Sequence, residues 1–320
     1  MYRYLTNDKY NEILSSFNLL NTTDIKKINK ILYNISNNID ANYTELIIKK
    51  KTGGVRFIYE PSKTLKSIQK RILKNILEER KLSCYSYAYK KNISILDNAK
   101  PHINKKIILK LDIKNFFDNI NFDMVYEECF NEMLFPRKMG ILLTNLCMYD
   151  NKLPTGAPTS GYISNIIMRS FDEKIGKYCD ENNIAYTRYS DDLSFSGDFD
   201  VKTIINMVAM LLKEKGFKLN EKKIKVVFNK TRQQITGIVV NKKVNIRKSY
   251  KNKIRQEVYY INKYGLDSHL NKIKSKENKK DYLQKLLGKI SYVYSITSQE
   301  EFLEYKNIIL KYLKESTNKN

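Results

Sequence analysis

The segment Ile184-Ala-Tyr-Thr-Arg-Tyr-Ser-Asp-Asp-Leu-Ser-Phe-Ser196 places two adjacent carboxylates between two runs of strand-forming residues. This pattern predicts two short strands joined by a tight turn at Ser190-Asp-Asp192. Adjacent like charges repel, so Asp191 and Asp192 need a counter-charge, which a divalent cation supplies. Carboxylate oxygens are hard ligands that suit Mg²⁺ or Mn²⁺. The segment therefore predicts a metal-binding turn at the tip of a hairpin.

A third carboxylate, Asp112, lies near the end of the predicted strand Lys106–Ile113. A single Asp at a strand end is more often a turn residue, so Asp112 gains its significance from the Asp191–Asp192 pair. Such carboxylates can hold two metal ions about 4 Å apart, which activate a primer hydroxyl and stabilise the leaving pyrophosphate. This chemistry needs no histidine, and the sequence contains only two. We therefore predict nucleotidyl transfer and not a His-based triad.

The composition indicates a polyanionic partner. The 320 residues include 58 Lys and Arg against 34 Asp and Glu, a net charge of +24. This charge is spread along the chain, which favours a nucleic acid over a membrane surface. No apolar run is long enough to span a membrane, and the N-terminus lacks the pattern of a signal peptide. We therefore predict a cytoplasmic protein that makes no membrane contact.

The pattern of apolar residues predicts a mixed α+β chain with a helical C-terminal module. Helices are predicted within residues 1–40, 62–81, 159–182 and 202–215, with Ser62 as an N-cap. Strands are predicted around Thr52-Gly-Gly and within residues 106–113, 184–196 and 217–240. Residues 241–320 are predicted to form two or three amphipathic helices. The four cysteines lack zinc-ligand spacing and are predicted to be buried or half-buried.

Tyr189-Ser-Asp-Asp192 resembles the Tyr-x-Asp-Asp box of reverse transcriptases, and other stretches follow in the order of that family. These stretches are Gly54-Val-Arg-Phe-Ile-Tyr-Glu-Pro61 of the fingers, the palm motifs Leu111-Asp-Ile-Lys-Asn-Phe-Phe117 and Leu153-Pro-Thr-Gly-Ala-Pro-Thr-Ser160, and Gly216-Phe-Lys-Leu-Asn-Glu-Lys-Lys223. One box alone is weak evidence, whereas five in order at plausible spacing are strong evidence. The resemblance covers roughly residues 45 to 240.

The resemblance implies a right-hand polymerase of the α+β class. Its fingers and palm would consist of an antiparallel sheet plus helices, and its thumb would be helical. The implied domains are an N-terminal helical segment over residues 1–44, fingers and palm over residues 45–240, and a thumb over residues 241–320. The thumb is expected to bind RNA or the template duplex.

Two further boxes are similar to those of retron reverse transcriptases. Asn98-Ala-Lys-Pro-His102 matches an Asn-Ala-x-x-His box, and Ile235-Thr-Gly237 resembles a Val-Thr-Gly box with Ile in place of Val. The retron resemblance implies an enzyme that copies a structured non-coding RNA into branched, RNA-linked single-stranded DNA. It would be self-primed from an RNA 2′-hydroxyl and use dNTPs. A separate effector protein and a role in anti-phage defence are also implied.

The resemblance assigns roles to individual residues. Asp112 and Asp191 would be the principal ligands of two Mg²⁺ ions, or of Mn²⁺, with Asp192 assisting. Residues expected at the nucleotide are Arg56, Phe117, Thr155, Gly156 and Lys223, with either Lys50 or Lys51 assisting. Residues expected to recognise RNA are Asn98, His102, Thr236, Gly237, Lys248, Lys251, Lys253 and Arg255.

The nucleotide-site assignments keep their alternatives. Phe117 lies five residues after Asp112, where the family has an aromatic gate against the 2′-hydroxyl of incoming nucleotides; the alternative is a core Phe. Arg56 would bind the triphosphate, because guanidinium groups are fork-shaped phosphate donors, and a solvated strand residue is the alternative. Many relatives have Gln where Thr155 stands, so a contact made by a Gln side chain is not expected here. Lys223 would lie near the leaving phosphates.

Two other functions stay open on the sequence. One is a different reverse transcriptase, of the group II intron-like or abortive-infection type, although the Asn98–His102 box favours the retron type. The other is a non-catalytic RNA-binding protein built on the polymerase fold. Intact Asp112, Asp191 and Asp192 argue against it, because clustered carboxylates are electrostatically costly without a metal.

Overall fold

The computed structural model describes residues 6–49, 53–275 and 277–317. Over these residues the chain forms two compact units, each with a hydrophobic core of its own. The first unit comprises Met1–Ser94 and Leu109–Val226, and the second comprises Ile95–Ile108 and Val227–Asn320. This division differs from the predicted boundary at residue 240. The division into fingers, palm and thumb stays a prediction.

The helices follow one another along the described residues with bounds set largely by caps and turns. They are α1 Asn7–Ser16, α2 Ile25–Asn37, α3 Lys63–Ile72, α4 Ile95–Ala99, α5 Phe122–Val125, α6 Arg137–Cys147, α7 Ser160–Ile167, α8 Arg169–Glu181, α9 Val201–Glu214, α10 Lys248–Tyr264, α11 Leu266–Lys272, α12 Lys279–Thr297 and α13 Glu300–Thr317. Wider, π-helical turns continue α3 over Leu73–Leu77 and α5 over Tyr126–Phe130. None of the helices in the described residues is long and apolar enough to cross a membrane.

Within the described ranges the strands are short and form three separate sheets. They are β1 Tyr43–Lys49, β2 Val55–Pro61, β3 Ile107–Asp112, β4 Ala185–Tyr189, β5 Asp192–Gly197, β6 Lys225–Phe228, β7 Gln234–Ile235 and β8 Ile238–Val239. β1 and β2 form one antiparallel pair, and β7 and β8 form another. The remaining four strands form a sheet in the order β4-β5-β3-β6, so β3 is an interior strand.

Most predicted elements are confirmed, and Ser62 caps α3 by accepting a hydrogen bond from the backbone N–H of Leu65. Three predictions were wrong in detail. The single helix predicted over residues 159–182 is two helices, because the chain departs from helical geometry at Met168 (ψ −2°). The C-terminal module contains four described helices and not two or three. Cys84 is exposed, while the other three cysteines are buried as predicted.

The core of the first unit holds the central strand in place. β3 is buried along nearly its whole length, and helices pack their apolar faces around it. In α3, the side chains of Leu65, Ile68 and Ile72 are fully buried at helical spacing, as the sequence pattern predicts. Asp112 ends β3 and is therefore carried to a fixed position by a strand with apolar neighbours on both sides.

The second unit has a mainly helical core. Ile254, Val258 and Ile261 form the buried stripe of α10 and belong to one cluster with apolar residues of α12 and α13. Ile235 of β7 and Ala99 of α4 lie in the same cluster. The two segments that resemble retron boxes therefore contribute to the core of this unit.

Candidate active site

The paired carboxylates lie at a hairpin tip, as predicted. β4 and β5 are antiparallel with Tyr189 opposite Asp192, which leaves Ser190 and Asp191 to make the turn. Ser190 adopts a positive φ of 62°. The backbone N–H of Ile113 donates to the carbonyl oxygen of Asp191 at 3.0 Å, which joins the turn to the end of β3. This hydrogen bond brings Asp112 beside the Asp191–Asp192 pair.

The carboxylate of Asp112 is held by two side chains from the segment after α9. Lys223 Nζ donates to Asp112 Oδ2 at 2.7 Å, and Asn220 Nδ2 donates to Asp112 Oδ1 at 3.0 Å. The backbone N–H of Asn220 also donates to the carbonyl oxygen of Asp112 at 2.8 Å. The predicted fourth palm motif therefore folds directly onto the first. Asn220 was not singled out from the sequence, although it lies inside that motif.

Burial and neighbouring negative charge act on the protonation of Asp191 and Asp192. Burial raises the pKa of Asp191, and the negative charge of Asp112 raises it further. Desolvation and then the charge of Asp191 raise the pKa of Asp192. The hydrogen bond to Asp112 raises the pKa of Lys223 and keeps its ammonium charged. The cluster therefore has an excess of negative charge that an added cation would neutralise.

The donor set suits a divalent cation, although the side chains are not already grouped as ligands. Within the described ranges, no three His, Cys, Asp or Glu side chains are grouped so that they could hold a metal ion. Lys223 Nζ lies beside Asp112 Oδ2, and its ammonium group occupies the position that a metal ion would take. Carboxylate oxygens are the ligands that Mg²⁺ and Mn²⁺ prefer. Asp112, Asp191 and Asp192 therefore fit metal ions, provided that Lys223 yields its contact.

A buried ion pair supports the turn from beneath. Arg188 and Asp172 are fully buried, and the guanidinium donates to both carboxylate oxygens of Asp172, at 2.8 and 2.6 Å. Tyr186 donates its hydroxyl to the same carboxylate at 2.8 Å. Arg188 Nη1 donates to the carbonyl oxygen of Ser190 at 3.1 Å. Sequence reasoning missed this support, because an Arg in a strand and an Asp in a helix carry no signal of pairing.

The predicted nucleotide residues lie in the same unit. Phe117 is half-buried, and its ring packs edge-on against Tyr89 with ring centroids 6.4 Å apart. Phe116 is buried, as expected. Thr155 is exposed and donates its hydroxyl to the carbonyl oxygen of Phe57 at 3.2 Å. Gly156 lies so close to β2 that a Cβ would collide with the carbonyl oxygen of Tyr59.

The structure describes Arg56 but neither of the two candidate lysines. Arg56 is exposed on β2, and its charge reaches Asp191, whose pKa it lowers in opposition to burial. This places its positive charge on the catalytic side of the unit. Lys50 and Lys51 lie outside the described residues.

The two retron-like boxes meet in the second unit. Asn98 and His102 are buried, and Asn98 Nδ2 donates to Thr236 Oγ1 at 3.4 Å. Thr236 and Gly237 form the turn between β7 and β8. The expectation that Asn98 and His102 touch RNA is therefore corrected, because protein atoms enclose both side chains. The Asn98 side chain holds the box segment onto the β7–β8 turn.

The basic residues of α10 divide into two kinds. Lys248 and Lys253 are exposed. Lys251 is buried and donates to Asn245 Oδ1 at 2.9 Å and to Gln299 Oε1 at 3.3 Å. Arg255 donates to both carboxylate oxygens of Glu301 at 2.7 Å. The prediction that Lys251 contacts phosphate is therefore corrected. Arg255 already forms an ion pair with Glu301.

The site brings Asp112 beside the turn that bears Asp191 and Asp192, an arrangement that suits nucleotidyl transfer. Residues 48–283 match the family described as reverse transcriptase (RNA-dependent DNA polymerase). The chain belongs to this family and has its α+β polymerase fold. It is an RNA-directed DNA polymerase that takes an RNA template and nucleotide substrates, and enzymes of this family generally use divalent metal ions.

Several relatives of the chain are retron enzymes. The chain is 32% identical over 227 residues to the retron Ec86 reverse transcriptase of Escherichia coli, covering 69% of this chain and 71% of that protein. It is 36% identical over 170 residues to the retron Ec83 reverse transcriptase of Escherichia coli, covering 49% and 53%. Apo telomerase from Candida tropicalis matches with a TM-score of 0.46 and 13% identity, over 70% of this chain and 60% of that one. The relatives identify the chain as a reverse transcriptase of the retron type.

Proposed function

We propose that this enzyme copies a structured non-coding RNA into branched single-stranded DNA that stays joined to the RNA. Synthesis starts from a 2′-hydroxyl of that RNA. The observation that carries the catalytic part is the hydrogen bond from the backbone N–H of Ile113 to the carbonyl oxygen of Asp191, which joins the end of β3, and with it Asp112, to the turn that bears Asp191 and Asp192. The retron part rests on the similarity to retron enzymes and on the two boxes in the second unit.

The proposed mechanism is in-line nucleotidyl transfer assisted by two divalent ions. When bound by these carboxylates, Mg²⁺ or Mn²⁺ would supply activation of the attacking hydroxyl and neutralisation of charge on the departing pyrophosphate. Asp112 and Asp191 are the proposed principal ligands, and Asp192 assists. Lys223 leaves Asp112 for the phosphates of the nucleotide, because its exposed ammonium can turn from one anion to another.

The remaining nucleotide contacts follow from position. The exposed guanidinium of Arg56 binds the triphosphate. Gly156 lets the loop that carries Thr155 lie directly against β2, where it lines the nucleotide site. Phe117 closes the site beside the sugar and excludes a 2′-hydroxyl. These roles are supported by contacts within one compact unit.

The RNA is held by positive charge and by the shape of the second unit. Lys248 and Lys253 present exposed ammonium groups to phosphates. Asn98 acts indirectly, by fixing the segment around Lys100 to the turn at Thr236, and His102 acts indirectly through its buried packing. Loss of either buried side chain is expected to disturb RNA recognition by displacing backbone and not by removing a base contact.

Primer extension on an RNA template tests the catalytic proposal. Asp191→Asn should abolish extension with Mg²⁺ and with Mn²⁺ and leave RNA binding nearly unchanged, because affinity comes mainly from basic residues. Asp123→Asn, at an exposed position in α5, is the matched control and should extend normally. Wild-type extension by Asp191→Asn would show that the paired carboxylates do not hold catalytic metal.

The branched product tests the retron proposal separately. Coexpression of the chain with its genomic flanks should yield DNA joined to RNA through a 2′,5′ linkage, which a debranching enzyme cleaves and alkali does not release as free DNA. A product with an ordinary 3′,5′ junction would contradict self-priming from a 2′-hydroxyl while leaving RNA-directed polymerisation in place.

We further propose that the DNA product acts with a separate effector protein in anti-phage defence. This part rests on the retron resemblance. Cells that carry the gene with its flanks should plate phage less efficiently than cells that carry the Asp191→Asn variant. Equal plating efficiency of phage on both strains would show that polymerisation has no protective role.

A further inference from the structure

Tyr89 has an unusual backbone conformation for an aromatic residue. Its φ is +57°, and its side chain is 51% exposed. The other non-glycine residues with positive φ in the part of the chain described are Asn, Asp, Ser, Thr and Lys. A bulky residue in this region is strained, and such strain is often found at functional sites. Neither the sequence motifs nor the core explains Tyr89.

The ring of Tyr89 lies on a glycine of α7. A Cβ added to Gly161 would overlap the Tyr89 ring, so the ring lies directly against the α-carbon of that residue. Because Gly161 has no side chain, the Tyr89 ring can pack directly against the backbone at the start of α7. The same packing fixes the direction in which the other edge of the ring points.

That other edge reaches two parts of the active site. The Tyr89 hydroxyl lies 3.2 Å from Ser190 Oγ, in the turn that carries Asp191. The Tyr89 ring meets Phe117 edge-on, with an interplanar angle of 72°. Tyr89 thus connects the metal-binding turn to the aromatic residue that follows the first catalytic carboxylate.

We propose that Tyr89 is a positioning residue for sugar discrimination. It holds the Phe117 ring against the sugar of the incoming nucleotide and ties that ring to the Ser190 turn. This inference rests on the proposed role of Phe117 as the gate against the 2′-hydroxyl. Gly161 belongs to the same device, because any larger residue there displaces the Tyr89 ring.

The measurement is the ratio of kcat/KM for a dNTP to that for the matching rNTP, on one RNA template and primer. Tyr89→Asn removes the ring but keeps a residue that tolerates positive φ. It should lower the ratio roughly two- to tenfold, the range expected for the loss of one edge-to-face aromatic contact. Tyr89→Phe keeps the ring contact with Phe117 but loses the hydroxyl contact with Ser190, so it should lower the ratio less than Tyr89→Asn does. Gly161→Ala should lower the ratio while Tyr89 itself is retained.

The chain offers a matched control away from the nucleotide. The ring of Tyr85 lies on the α-carbon of Gly176 in α8 in the same way, but its hydroxyl donates to Asp180. Tyr85→Asn and Gly176→Ala disturb an equivalent Tyr-on-Gly contact and should leave the dNTP/rNTP ratio unchanged. A fall of the ratio in these controls would assign the effect to loosened packing and overturn the inference.

A double-mutant cycle separates this inference from the gate itself. If Phe117→Ala lowers the ratio, Tyr89→Asn should add nothing in that background. Wild-type ratios in both Tyr89→Asn and Gly161→Ala would overturn the inference while leaving the gate intact. An unchanged ratio in Phe117→Ala would refute the gate and the inference together. Should a variant lose extension, thermal shifts with dNTP and with rNTP compare the binding part of the discrimination, and the variants should follow the same order.

Discussion

Asp172→Asn should destabilise the first unit, because it leaves the buried guanidinium of Arg188 without its counter-charge. Arg188 and Asp172 have no exposed side-chain surface, and three hydrogen bonds converge on the carboxylate. Burial opposes the charged form of Arg188, yet the nearby charge of Asp172 leaves its pKa raised. Removing one partner of such a pair costs about 3–5 kcal/mol. That is a large share of the roughly 5–15 kcal/mol that stabilises a folded protein.

Hydrogen exchange measured by mass spectrometry is the suitable assay, because a chain with two cores need not unfold in one step. Backbone amides of β4 and α8 should exchange more than about 100-fold faster in Asp172→Asn, since each 1.4 kcal/mol is tenfold. Amides of α12 in the second unit should exchange at the wild-type rate. Wild-type protection of β4 in the variant would refute the reasoning.

Glu301→Gln is the matched control for this prediction. It breaks the bidentate Arg255–Glu301 pair, whose side chains are about one-third exposed. Solvent reduces the contribution of such a pair to about 1 kcal/mol or less. The double variant Asp172→Leu with Arg188→Met removes both buried charges and should recover much of the lost protection. It should still extend primers poorly, because the Ser190 carbonyl loses its Arg188 donor.

Three further outcomes are expected. Lys223→Met should raise Tb³⁺ affinity up to about fivefold, because Asp112 loses a competing cation, and it should lower the extension rate. Tb³⁺ luminescence sensitised by nearby Tyr side chains reports binding in this Trp-free chain. Equal Tb³⁺ affinities of the variant and the wild type would contradict this prediction. At a subsaturating Tb³⁺ concentration, the same signal should begin to fall at a higher pH than it would for carboxylates of ordinary pKa, because burial raises the pKa values of Asp191 and Asp192 and protons compete with metal from a higher pH; a signal that falls only within the usual range of Asp would contradict it. Lys248→Gln with Lys253→Gln should reduce the log–log salt slope of RNA binding by about 1.4, at about 0.7 per single-strand phosphate contact, whereas Lys251→Gln, at a buried position, should leave the slope unchanged.

Local patterns in the sequence predict the catalytic elements well. The Asp191–Asp192 turn, the strand before Asp112 and the cap at Ser62 each depend on neighbours within a few residues. Such patterns predict the folded structure because strand alternation, turn geometry and helix capping depend on residues close together in the sequence. The helix break at Met168 was missed, since the apolar stripe continues across it.

Burial of polar side chains could not be predicted in the same way. Asn98, His102 and Lys251 are polar and occur in or near motifs expected to bind RNA, yet all three are buried. Their burial depends on partners far along the chain, such as Thr236 for Asn98 and Gln299 for Lys251. A single sequence does not report these pairings. The same limit hid the Arg188–Asp172 pair.

The catalytic and the retron-like residues belong to different compact units, and this separation has a consequence. Asp112, Asp191 and Lys223 lie in the first unit, whereas Asn98 and Thr236 lie in the second. Each set is held by hydrogen bonds inside its own unit. We therefore expect a substitution that loosens the Asn98–Thr236 contact to alter recognition of the cognate RNA more than it alters the transfer chemistry.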